Sequence, residues 1–305
     1  MVMSKQTSVI CAIVKNEQRF IREWAEHYLR IGFDRLYVFE DFGSETHEKE
    51  IADYIADGKV VLTNLDRSGV LPRYKKGTMV QRNLYRMFFE RCKKEELADW
   101  CGFFDVDEFL MFEEGWDLER LEEEFKDTAG LLLSWRLYGA NGHLKRPEGG
   151  VVESYTKSMP DGSMLDSSVQ WNVKSLVNVH NCSREKHIHV FRGCVKTNGR
   201  ELFDGNGLCF EKAWLNHYYT KSWEDYLDRI FARGNMQNNF RCLDKFFKCN
   251  PDMLKDKEKM VMEQRYRHAA STMWISRDMK VISGGNVQRL KELTRKCVLN
   301  RRAAV

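Results

Sequence analysis

The sequence is poor in the residues that mark linkers and disordered segments. Among its 305 residues there are only 4 prolines, and no run is rich in serine and glycine. Such a composition argues against a long flexible linker. Hydrophobic residues make up 43% of the chain and charged residues 31%, as in folded globular proteins. The length suits one large α/β domain, or one domain with a smaller lobe.

Patterns that would indicate a membrane-spanning, secreted or cysteine-bound zinc protein are also missing. No apolar stretch reaches the length of a membrane span, and the first residues lack the charged, then apolar pattern of a secretory signal. The 9 cysteines are an odd number, and none is spaced as Cys-x-x-Cys. We therefore expect reduced thiols in a cytoplasmic protein, and no zinc site built on cysteine.

Charge of either sign shows little excess. The formal net charge is +4, which is too small to predict nucleic-acid binding. One stretch near the C-terminus is basic; it contains Arg289, Lys291, Arg295, Lys296, Arg301 and Arg302. This stretch is either an ordinary solvated helix face or a contact with anionic lipid or phosphate. The second alternative predicts a protein that is peripheral to a membrane.

Hydrophobic periodicity predicts alternating strands and helices over the first hundred residues. The apolar run SVICAIV is typical of a strand buried on both faces of a parallel sheet. Strands are expected at 8–14, 34–40, 60–65 and 100–104, and helices at 20–29, 51–55 and 78–98. This order predicts an α/β fold with a Rossmann-like, mostly parallel sheet flanked by helices. Ligands of such sheets bind at the carboxyl ends of the strands, where Lys15-Asn16-Glu17, Glu40-Asp41 and Asp105-Val106-Asp107 lie.

The second half of the chain is less regular. Further strands are expected at 130–138, 172–179 and 187–192, and helices at 117–125 and 222–234. Beyond these the chain is charged and mostly helical by its pattern. We expect one domain over residues 1–235, with two halves that meet at 117/118, and a helical C-terminal segment over 236–305.

The sharpest chemical motif is the acidic cluster Asp105-Val106-Asp107-Glu108 after an apolar strand. Hard divalent cations that also bind substrate phosphates need few protein oxygens and open positions, so the two aspartates suit Mg²⁺ or Mn²⁺. The alternatives are a solvated acidic turn or the D-x-D of phosphatases with an aspartyl nucleophile. Those phosphatases usually carry the motif on the first strand, followed by Thr or Val, whereas here it follows the fourth strand and precedes Glu108-Phe109.

A second motif, LNHYYTKSW, combines His217 with Lys221 just before a predicted helix. A neutral imidazole is a good ligand for Mn²⁺. The lysine and the helix N-terminus could together neutralise a departing diphosphate. The alternative is a histidine packed under neighbouring aromatic residues. His187 and His189, expected on one strand face, could bind a metal, but without an acidic neighbour we expect a structural or acceptor-side role for them. Trp135, Tyr138, Asn141 and His143 form either an acceptor wall or a core strand with a tight turn.

Four ordered blocks resemble glycosyltransferase family 92 and its family-2-like bacterial relatives. They are ICAIVKNEQRFIREWAEHYLRIGFDRLYVFED, DWCGFFDVDEFL, WRLYGANGH and LNHYYTKSWEDYLDRIFARG, and they span roughly residues 8 to 235. The resemblance implies a GT-A fold in which residues 1–117 bind a nucleotide-sugar and 118–235 face the acceptor. It also implies a Mn²⁺-type (or Mg²⁺) cofactor, a UDP-sugar donor such as UDP-galactose, and inversion at the anomeric carbon.

The resemblance also implies site residues. Lys15, Asn16 and Glu17 would lie near the nucleotide base, Asp41 near the uracil or ribose, and Arg82 is a further donor contact. Asp105 and Asp107 would hold the metal and diphosphate, with His217 as the late metal ligand and Lys221 on a phosphate. The last block is also similar to the His…Lys-Pro-Trp block of retaining family 8 enzymes, which leaves the stereochemistry open.

The sequence leaves the proton acceptor, the acceptor substrate and part of the function open. The candidates for the general base are Asp166 and Asp204, with Glu201 as a third. The acceptor is expected to be a glycan or glycolipid, such as a lipopolysaccharide or other polysaccharide precursor. Competing functions are a D-x-D phosphatase or nucleotidyltransferase, and a non-catalytic protein that binds nucleotide-sugars.

Overall fold

The computed structural model describes residues 7–70, 77–232, 245–256 and 260. The chain divides into two compact units, Met1–Leu254 and Lys255–Val305, and the first contains the sheet and the candidate site. Within the described residues, no helix combines the length and the apolar character that crossing a bilayer requires. The basic C-terminal stretch and most of the predicted helical segment over 236–305 lie outside the described residues.

The strands of the first unit form a nine-stranded mixed sheet in the order β3-β2-β1-β4-β7-β6-β11-β5, with β10 paired to β6. Five pairings are parallel, β1–β2, β2–β3, β1–β4, β6–β10 and β6–β11, and three are antiparallel, β4–β7, β6–β7 and β5–β11. The predicted α/β fold with a mostly parallel sheet is confirmed. Its strands are β1 (Ser8–Val14), β2 (Arg35–Glu40), β3 (Val60–Asn64), β4 (Trp100–Gly102), β5 (Glu108–Phe112), β6 (Gly130–Leu137), β7 (Val173–Asn178), β10 (Val195–Lys196) and β11 (Ala213–His217).

Helices cover both faces of this sheet. They are α1 (Gln18–Arg30), α2 (Ala52–Ala56), α3 (Leu65–Ser68), α4 (Gly77–Glu95), α5 (Leu118–Glu124), α6 (Val151–Ser154) and α7 (Trp223–Ala232). Among the described residues, 3₁₀ helices lie at Glu48–Ile51, Val169–Trp171 and Pro251–Asp256, and residues 245–249 are also helical. A separate hairpin pairs β8 (Glu185–His187) with β9 (Val190–Phe191).

Strand β1 shows why the sheet lies in the middle of the unit. Ile10 and Val14 belong to a core cluster on one face of the sheet, where α1 contributes Trp24. Val9 belongs to the cluster on the other face, where α4 contributes Phe88. Successive strand residues point to opposite faces, so a strand that is apolar at every position must be covered on both sides.

The structure departs from the predicted elements in the second half. The strand predicted at 187–192 is wrong, because Ile188 and His189 form the turn between β8 and β9. Strands β5 and β11 were missed by the periodicity, and their antiparallel pairing ends the sheet. Both lie next to polar motifs, so their short apolar runs carry little strand signal on their own. These two strands build the candidate site.

Candidate metal centre

The antiparallel pair β5–β11 brings the two predicted motifs together. Glu108, the first residue of β5, pairs in register with His217, the last residue of β11. The backbone N–H of Tyr218 donates to the carbonyl of Asp107 at 2.8 Å, which continues the ladder into the acidic turn. On its other edge, His217 pairs with Leu137 at the end of β6. The predicted proximity of the acidic cluster and His217 therefore arises from strand register.

Three buried side chains form a compact group at this junction. Asp107, Glu108 and His217 each offer one potential ligand atom, and these atoms all lie within 4.8 Å of one another. His217 Nε2 lies 3.7 Å from Asp107 Oδ1. Two carboxylates and a neutral imidazole are ligands that suit Mn²⁺ or Mg²⁺ with open positions for phosphate oxygens. The set of residues therefore fits a divalent cation.

Unpaired polar atoms give a second reason for this fit. Glu108 Oε1 and His217 Nδ1 are buried and have no hydrogen-bond partner among the described residues. Buried polar atoms of folded proteins are almost always paired, and an unpaired buried carboxylate oxygen is costly. A cation beside Glu108 would remove that cost.

Two cations flank the group: Lys174, which is fully buried, and Arg229, which is partly buried. The Arg229 guanidinium donates from Nη1 to Asp107 Oδ2 at 2.8 Å and to the carbonyl of Tyr219 at 2.7 Å. The Lys174 ammonium donates to Asp105 Oδ2 at 2.9 Å and lies 3.6 Å from Glu108 Oε2. Each cation holds an outer oxygen of the acidic turn, so the carboxylates are oriented before any ligand arrives.

Protonation equilibria differ strongly within the cluster. Burial alone would raise the pKa of Asp107, but the charge of Arg229, the interaction with the His217 ring and the charge of Lys221 outweigh it and hold the pKa well below its usual range. Burial raises the pKa of Glu108 well above its usual range, although Lys174 opposes this. Burial also lowers the pKa of His217, so the imidazole is neutral at pH 7. Titratable groups with opposite shifts at one site are typical of functional centres.

Asp105 has a different environment from its neighbours. Oδ1 accepts a hydrogen bond from Gln81 Nε2 at 2.9 Å, and Oδ2 accepts the one from Lys174. Among the described residues, Asp105 is not part of the group around His217. Its side chain is 35% exposed. The prediction that Asp105 binds the metal stays a prediction, as does its donor contact.

The residues predicted at the nucleotide lie at the same edge of the sheet. Lys15 Nζ donates to the carbonyl of Phe42 at 2.7 Å, which joins the loops after β1 and β2. Asn16 has a left-handed backbone (φ 55) and its Oδ1 accepts from the N–H of Glu45 at 3.0 Å. The N–H of Glu17 donates to His47 Nε2 at 2.9 Å.

Asp41 also belongs to this loop pair, but its carboxylate bonds within its own loop. Asp41 Oδ1 accepts from the N–H of Phe42 at 2.8 Å. Glu40, just before it, accepts from the N–H of His47 at 2.6 Å and from Asn64 Nδ2 at 2.9 Å. This buried network joins the ends of β2 and β3 and gives the loop a fixed shape.

Lys221 and Arg82 are placed very differently. Lys221 is 4% exposed, has φ 50, and its ammonium lies 4.3 Å from the ring centroid of Phe20. Its charge lowers the pKa of Asp107, though less than burial and Arg229 affect it, and its predicted contact with a phosphate stays a prediction. Arg82 is half exposed and faces β8, where its Nη2 donates to the carbonyl of Lys186 at 3.4 Å.

The two main base candidates lie in separate places. Asp166 forms an ion pair with Lys245 at 3.1 Å, and its carbonyl accepts from Asn172 Nδ2 at 3.0 Å, beside the strand end that carries Trp135. Asp204 pairs with Lys196 at 2.6 Å, and Lys196 is in register with Leu132 near the start of β6. The hydrogen bond from Lys196 lowers the pKa of Asp204 below its usual range. These contacts give no support to Asp204 as a base.

A line of aromatic rings leads from His217 to the surface. The Trp135 ring lies 4.1 Å from the His217 ring, and His189 lies 5.2 Å from Trp135 and 5.3 Å from Trp171. Trp171 is 38% exposed and stacks on His187 at 4.7 Å. His187 and His189 are thus neighbours across a turn, with rings 5.8 Å apart, and not on one strand face as predicted. Neither is part of the metal group among the described residues.

Sequence patterns had not identified Lys174, Arg229 or Gln81. A lysine inside the apolar strand VKSLVN is an unusual feature that could have marked Lys174, because buried lysines are almost always paired. Arg229 lies on α7 two turns after the predicted phosphate contact, and nothing in its local sequence marks it. Nothing in the sequence around Gln81 indicates a role at the site, because its contact with Asp105 depends on where α4 lies relative to the acidic turn.

Comparisons with known proteins agree with the sequence blocks. The sequence model described as Glycosyltransferase family 92 matches residues 6–272. A glycosyltransferase family 92 protein of Oryza sativa subsp. japonica is 27% identical over 73% of this chain and 35% of that protein. One of Ricinus communis is 25% identical over 73% of this chain and 37% of that protein. The chain thus spans about a third of the length of these curated relatives.

Similarity to solved structures is weaker. S. aureus TarS 1–349 in complex with UDP has a TM-score of 0.36 and 12% identity, over 90% of this chain and 75% of that one. A glucosyl-3-phosphoglycerate synthase from Mycobacterium tuberculosis, in complex with Mn²⁺ and UDP, has a TM-score of 0.28 and 14% identity, over 43% and 44%. Likenesses this distant carry no argument about function.

Proposed function

The chain belongs to glycosyltransferase family 92, and we propose on this basis that it transfers a sugar from a nucleotide-sugar donor to a hydroxyl of a glycan or glycolipid. The observation that carries the proposal is the buried group Asp107, Glu108 and His217. It lies where polar residues follow the carboxyl ends of β1, β2 and β4, which is where α/β folds bind nucleotides. We propose a UDP-sugar with galactose as the first donor to test.

Asp107, Glu108 and His217 would hold Mn²⁺ or Mg²⁺. When bound, such an ion neutralises charge on the leaving diphosphate as a Lewis acid. The neutral imidazole of His217 and the ionised carboxylate of Asp107 are the protonation states that metal binding requires. Arg229 keeps Asp107 ionised and fixes its orientation through the contact with Oδ2.

Lys221, just before α7, would bind the diphosphate. Lys221 is buried and its charge acts on Asp107, so little solvent screens that charge. Ser222, just before α7, caps the helix, because its Oγ accepts from the N–H of Asp225 at 3.0 Å. The positive end of a helix of ten residues adds to the field of the lysine. A fixed cation at this point stabilises negative charge that develops on the leaving group.

The loops after β1 and β2 would bind the nucleoside part of the donor. They contain Lys15, Asn16, Glu17 and Asp41, and their mutual hydrogen bonds give the backbone a defined shape. Asp105, which is partly exposed next to them, is a further donor contact in this proposal. Arg82 is the least supported of the proposed donor contacts, because it faces β8.

The aromatic line of Trp135, His189, His187 and Trp171 would form the wall for the acceptor glycan. Aromatic faces bind the apolar faces of sugars, and Trp171 is the exposed end of this line. Asp166 is the base candidate that the contacts support better, because Asn172 joins it to the strand end next to Trp135. A single displacement with inversion, in which such a carboxylate takes the proton of the acceptor hydroxyl, completes the proposal.

Location and membrane contact are separate proposals. The expected cytoplasmic location and the peripheral membrane contact rest on composition and on the basic stretch from Arg289 to Arg302. A lipid-linked acceptor, such as a lipopolysaccharide precursor, would agree with that contact.

An assay of donor cleavage tests the proposed function. The purified chain is incubated with UDP-galactose and other nucleotide-sugars and a panel of glycoside acceptors, with Mn²⁺ or with excess chelator. We expect release of the nucleoside diphosphate only with metal, and loss of turnover in Asp107→Ala. Asp53→Ala is the matched control, since Asp53 is half exposed and pairs with Arg22.

Three results would contradict the proposal. Equal turnover in excess chelator would rule out the metal requirement. Release of inorganic phosphate from simple phosphate esters would indicate a phosphatase that uses the same acidic turn. Tight binding of nucleotide-sugars with no transfer across the acceptor panel would indicate a non-catalytic binding protein.

A further inference from the structure

The acidic turn holds more carboxylates than a divalent cation at a nucleotide site needs. Asp105, Asp107 and Glu108 lie within four residues, and such cations usually take one or two protein carboxylates together with substrate phosphates. Asp107 and Glu108 join His217 in the compact group, whereas Asp105 does not. Some feature of the fold therefore selects between carboxylates that are adjacent in sequence.

Lys174 is the residue whose contacts separate Asp105 from the others. Its side chain is 0% exposed, and its ammonium lies 2.9 Å from Asp105 Oδ2. The pairing follows from the sheet, because the N–H of Phe103 donates to the carbonyl of Ser175 at 3.1 Å and leads the turn past β7. The other oxygen of Asp105 accepts from Gln81 Nε2. Both oxygens of Asp105 are thus engaged by donors that belong to the fold.

Glu108 shows the opposite distribution of contacts. Its Oε2 accepts from the N–H of Asp105 at 2.9 Å and lies 3.6 Å from Lys174. Its Oε1 is buried without a hydrogen-bond partner among the described residues. A buried carboxylate with one unpaired oxygen gains more from a cation than one whose oxygens are both paired.

We propose that Lys174 is a positioning residue that withholds Asp105 from the metal and leaves Glu108 as the second carboxylate ligand beside Asp107. The proposal rests on the metal-dependent function proposed above. Lys174 acts through the carboxylates, since its ammonium binds Asp105 and restrains Glu108 through Oε2. The direct consequence is that Asp105 contributes to metal affinity only when Lys174 is absent.

A double-mutant cycle on Mn²⁺ binding tests this consequence. Free Mn²⁺ is measured by electron paramagnetic resonance, without nucleotide, for the native protein, Asp105→Asn, Lys174→Met and the double variant. In the native background we expect Asp105→Asn to change the Kd less than about 3-fold, because the amide keeps an oxygen for Lys174. In the Lys174→Met background we expect Asp105→Asn to weaken Mn²⁺ binding about 10-fold or more. The effects of the two substitutions would then not be additive, as expected for residues in direct contact.

Lys196→Met is the matched control for removing a buried charge. Lys196 is 1% exposed and pairs with Asp204 at 2.6 Å, near the start of β6 and away from the acidic turn. We expect its Mn²⁺ affinity to stay within about 3-fold of the native value while its melting temperature falls, because a buried pair is broken. Thermal unfolding of every variant identifies those that do not fold.

Two outcomes would overturn the proposal while leaving the proposed function intact. One is a loss of Mn²⁺ affinity of about 10-fold or more on Asp105→Asn alone, which would make Asp105 a ligand. This measurement on Asp105→Asn alone remains decisive even if Lys174→Met does not fold. The other is an equal effect of Asp105→Asn in both backgrounds. Failure of the native protein to bind Mn²⁺ would instead overturn both the proposal and the metal-dependent function.

Discussion

Glu108 and His217 are separated by more than a hundred residues in sequence, yet they face each other in register at the end of the antiparallel pair β5–β11. This pairing places a carboxylate, an imidazole and the preceding Asp107 within 4.8 Å of one another. The register is strongly specified, because a one-residue slip of either strand would turn that strand's side chain to the opposite face of the sheet. The candidate metal centre is therefore built into the sheet.

Replacing Glu108 tests its role as a ligand. We expect Glu108→Gln to weaken Mn²⁺ binding about 10-fold or more, and the melting temperature to stay unchanged or rise. The second effect follows because burial raises the pKa of Glu108, so ionised Glu108 is costly in the folded protein. Mn²⁺ titration and thermal unfolding measure the two effects. Glu122→Gln is the control, since Glu122 is also buried but accepts from the Ser8 hydroxyl. Unchanged Mn²⁺ affinity in Glu108→Gln would remove Glu108 from the ligand set.

Replacing Lys221 tests its contact with the diphosphate. Lys221→Met should raise the donor KM and lower kcat, so that kcat/KM falls about 100-fold, because a fixed cation near the leaving group is lost. Lys93→Met is the control; Lys93 is exposed and donates to the carbonyl of Cys182 at 2.7 Å, away from the acidic turn. Steady-state kinetics with varied donor gives the result. A fall in kcat/KM of less than 3-fold would indicate that other residues bind the diphosphate.

Removing the exposed aromatic face of Trp171 tests the acceptor wall. We expect Trp171→Ala to raise the KM of the best glycan acceptor about 3- to 10-fold through lost stacking. The donor KM and the hydrolysis of donor without acceptor should stay unchanged. Phe203→Ala serves as the control, because Phe203 is 62% exposed and contacts Lys186. An acceptor KM equal to that of the native protein would place the glycan elsewhere.

His27 predicts a pH dependence of stability. Burial lowers the pKa of His27 from 6.5 to about 4, while its Nε2 bonds the carbonyl of Leu110 at 2.8 Å. Below pH 6.5 the unfolded chain gains the proton and the folded chain does not, so stability falls as pH falls toward 4. At pH 5 this costs about 2 kcal/mol relative to pH 7.

Chemical unfolding at pH 7 and pH 5 measures that cost. Between pH 7 and pH 5, the free energy of unfolding of His27→Gln should fall by about 2 kcal/mol less than that of the native protein. His180→Gln, at an exposed histidine beside Asp99, should behave like the native protein. Equal losses in all three proteins would mean that His27 does not carry the effect.

Much of the fold was predictable from local pattern. The run SVICAIV predicts β1 to the residue, and the helical spacing after Glu17 predicts α1, because each is a long segment with one clear period. The acidic turn and His217 were also predictable, since both carry metal-ligand side chains in recognisable motifs. Their closeness follows from β11, which is only five residues long and mixes Trp214 and Asn216 with apolar residues.

The remainder of the site depends on long-range contacts. Lys174 meets Asp105 because β7 runs antiparallel beside β4, and Arg229 reaches Asp107 from a helix that begins after the strand end. No local period encodes either contact. The same limit explains why the sequence could not show that Asp105 is paired through both carboxylate oxygens while Glu108 keeps one unpaired, since only the fold shows which oxygens have partners among the described residues.

Calorimetric titration of nucleoside diphosphates with and without Mn²⁺ tests the central claim most directly. The claim is that a divalent cation at Asp107, Glu108 and His217 joins the protein to the diphosphate of the donor. At least one of UDP, GDP, CDP, dTDP and ADP should bind about 10-fold more tightly with Mn²⁺ than in chelator. Because the two binding equilibria are linked, that nucleotide should also raise the affinity of the protein for Mn²⁺ about 10-fold. In Asp107→Asn neither ligand should raise the affinity for the other. Equal affinities with and without Mn²⁺ for every nucleotide of this panel would contradict the account.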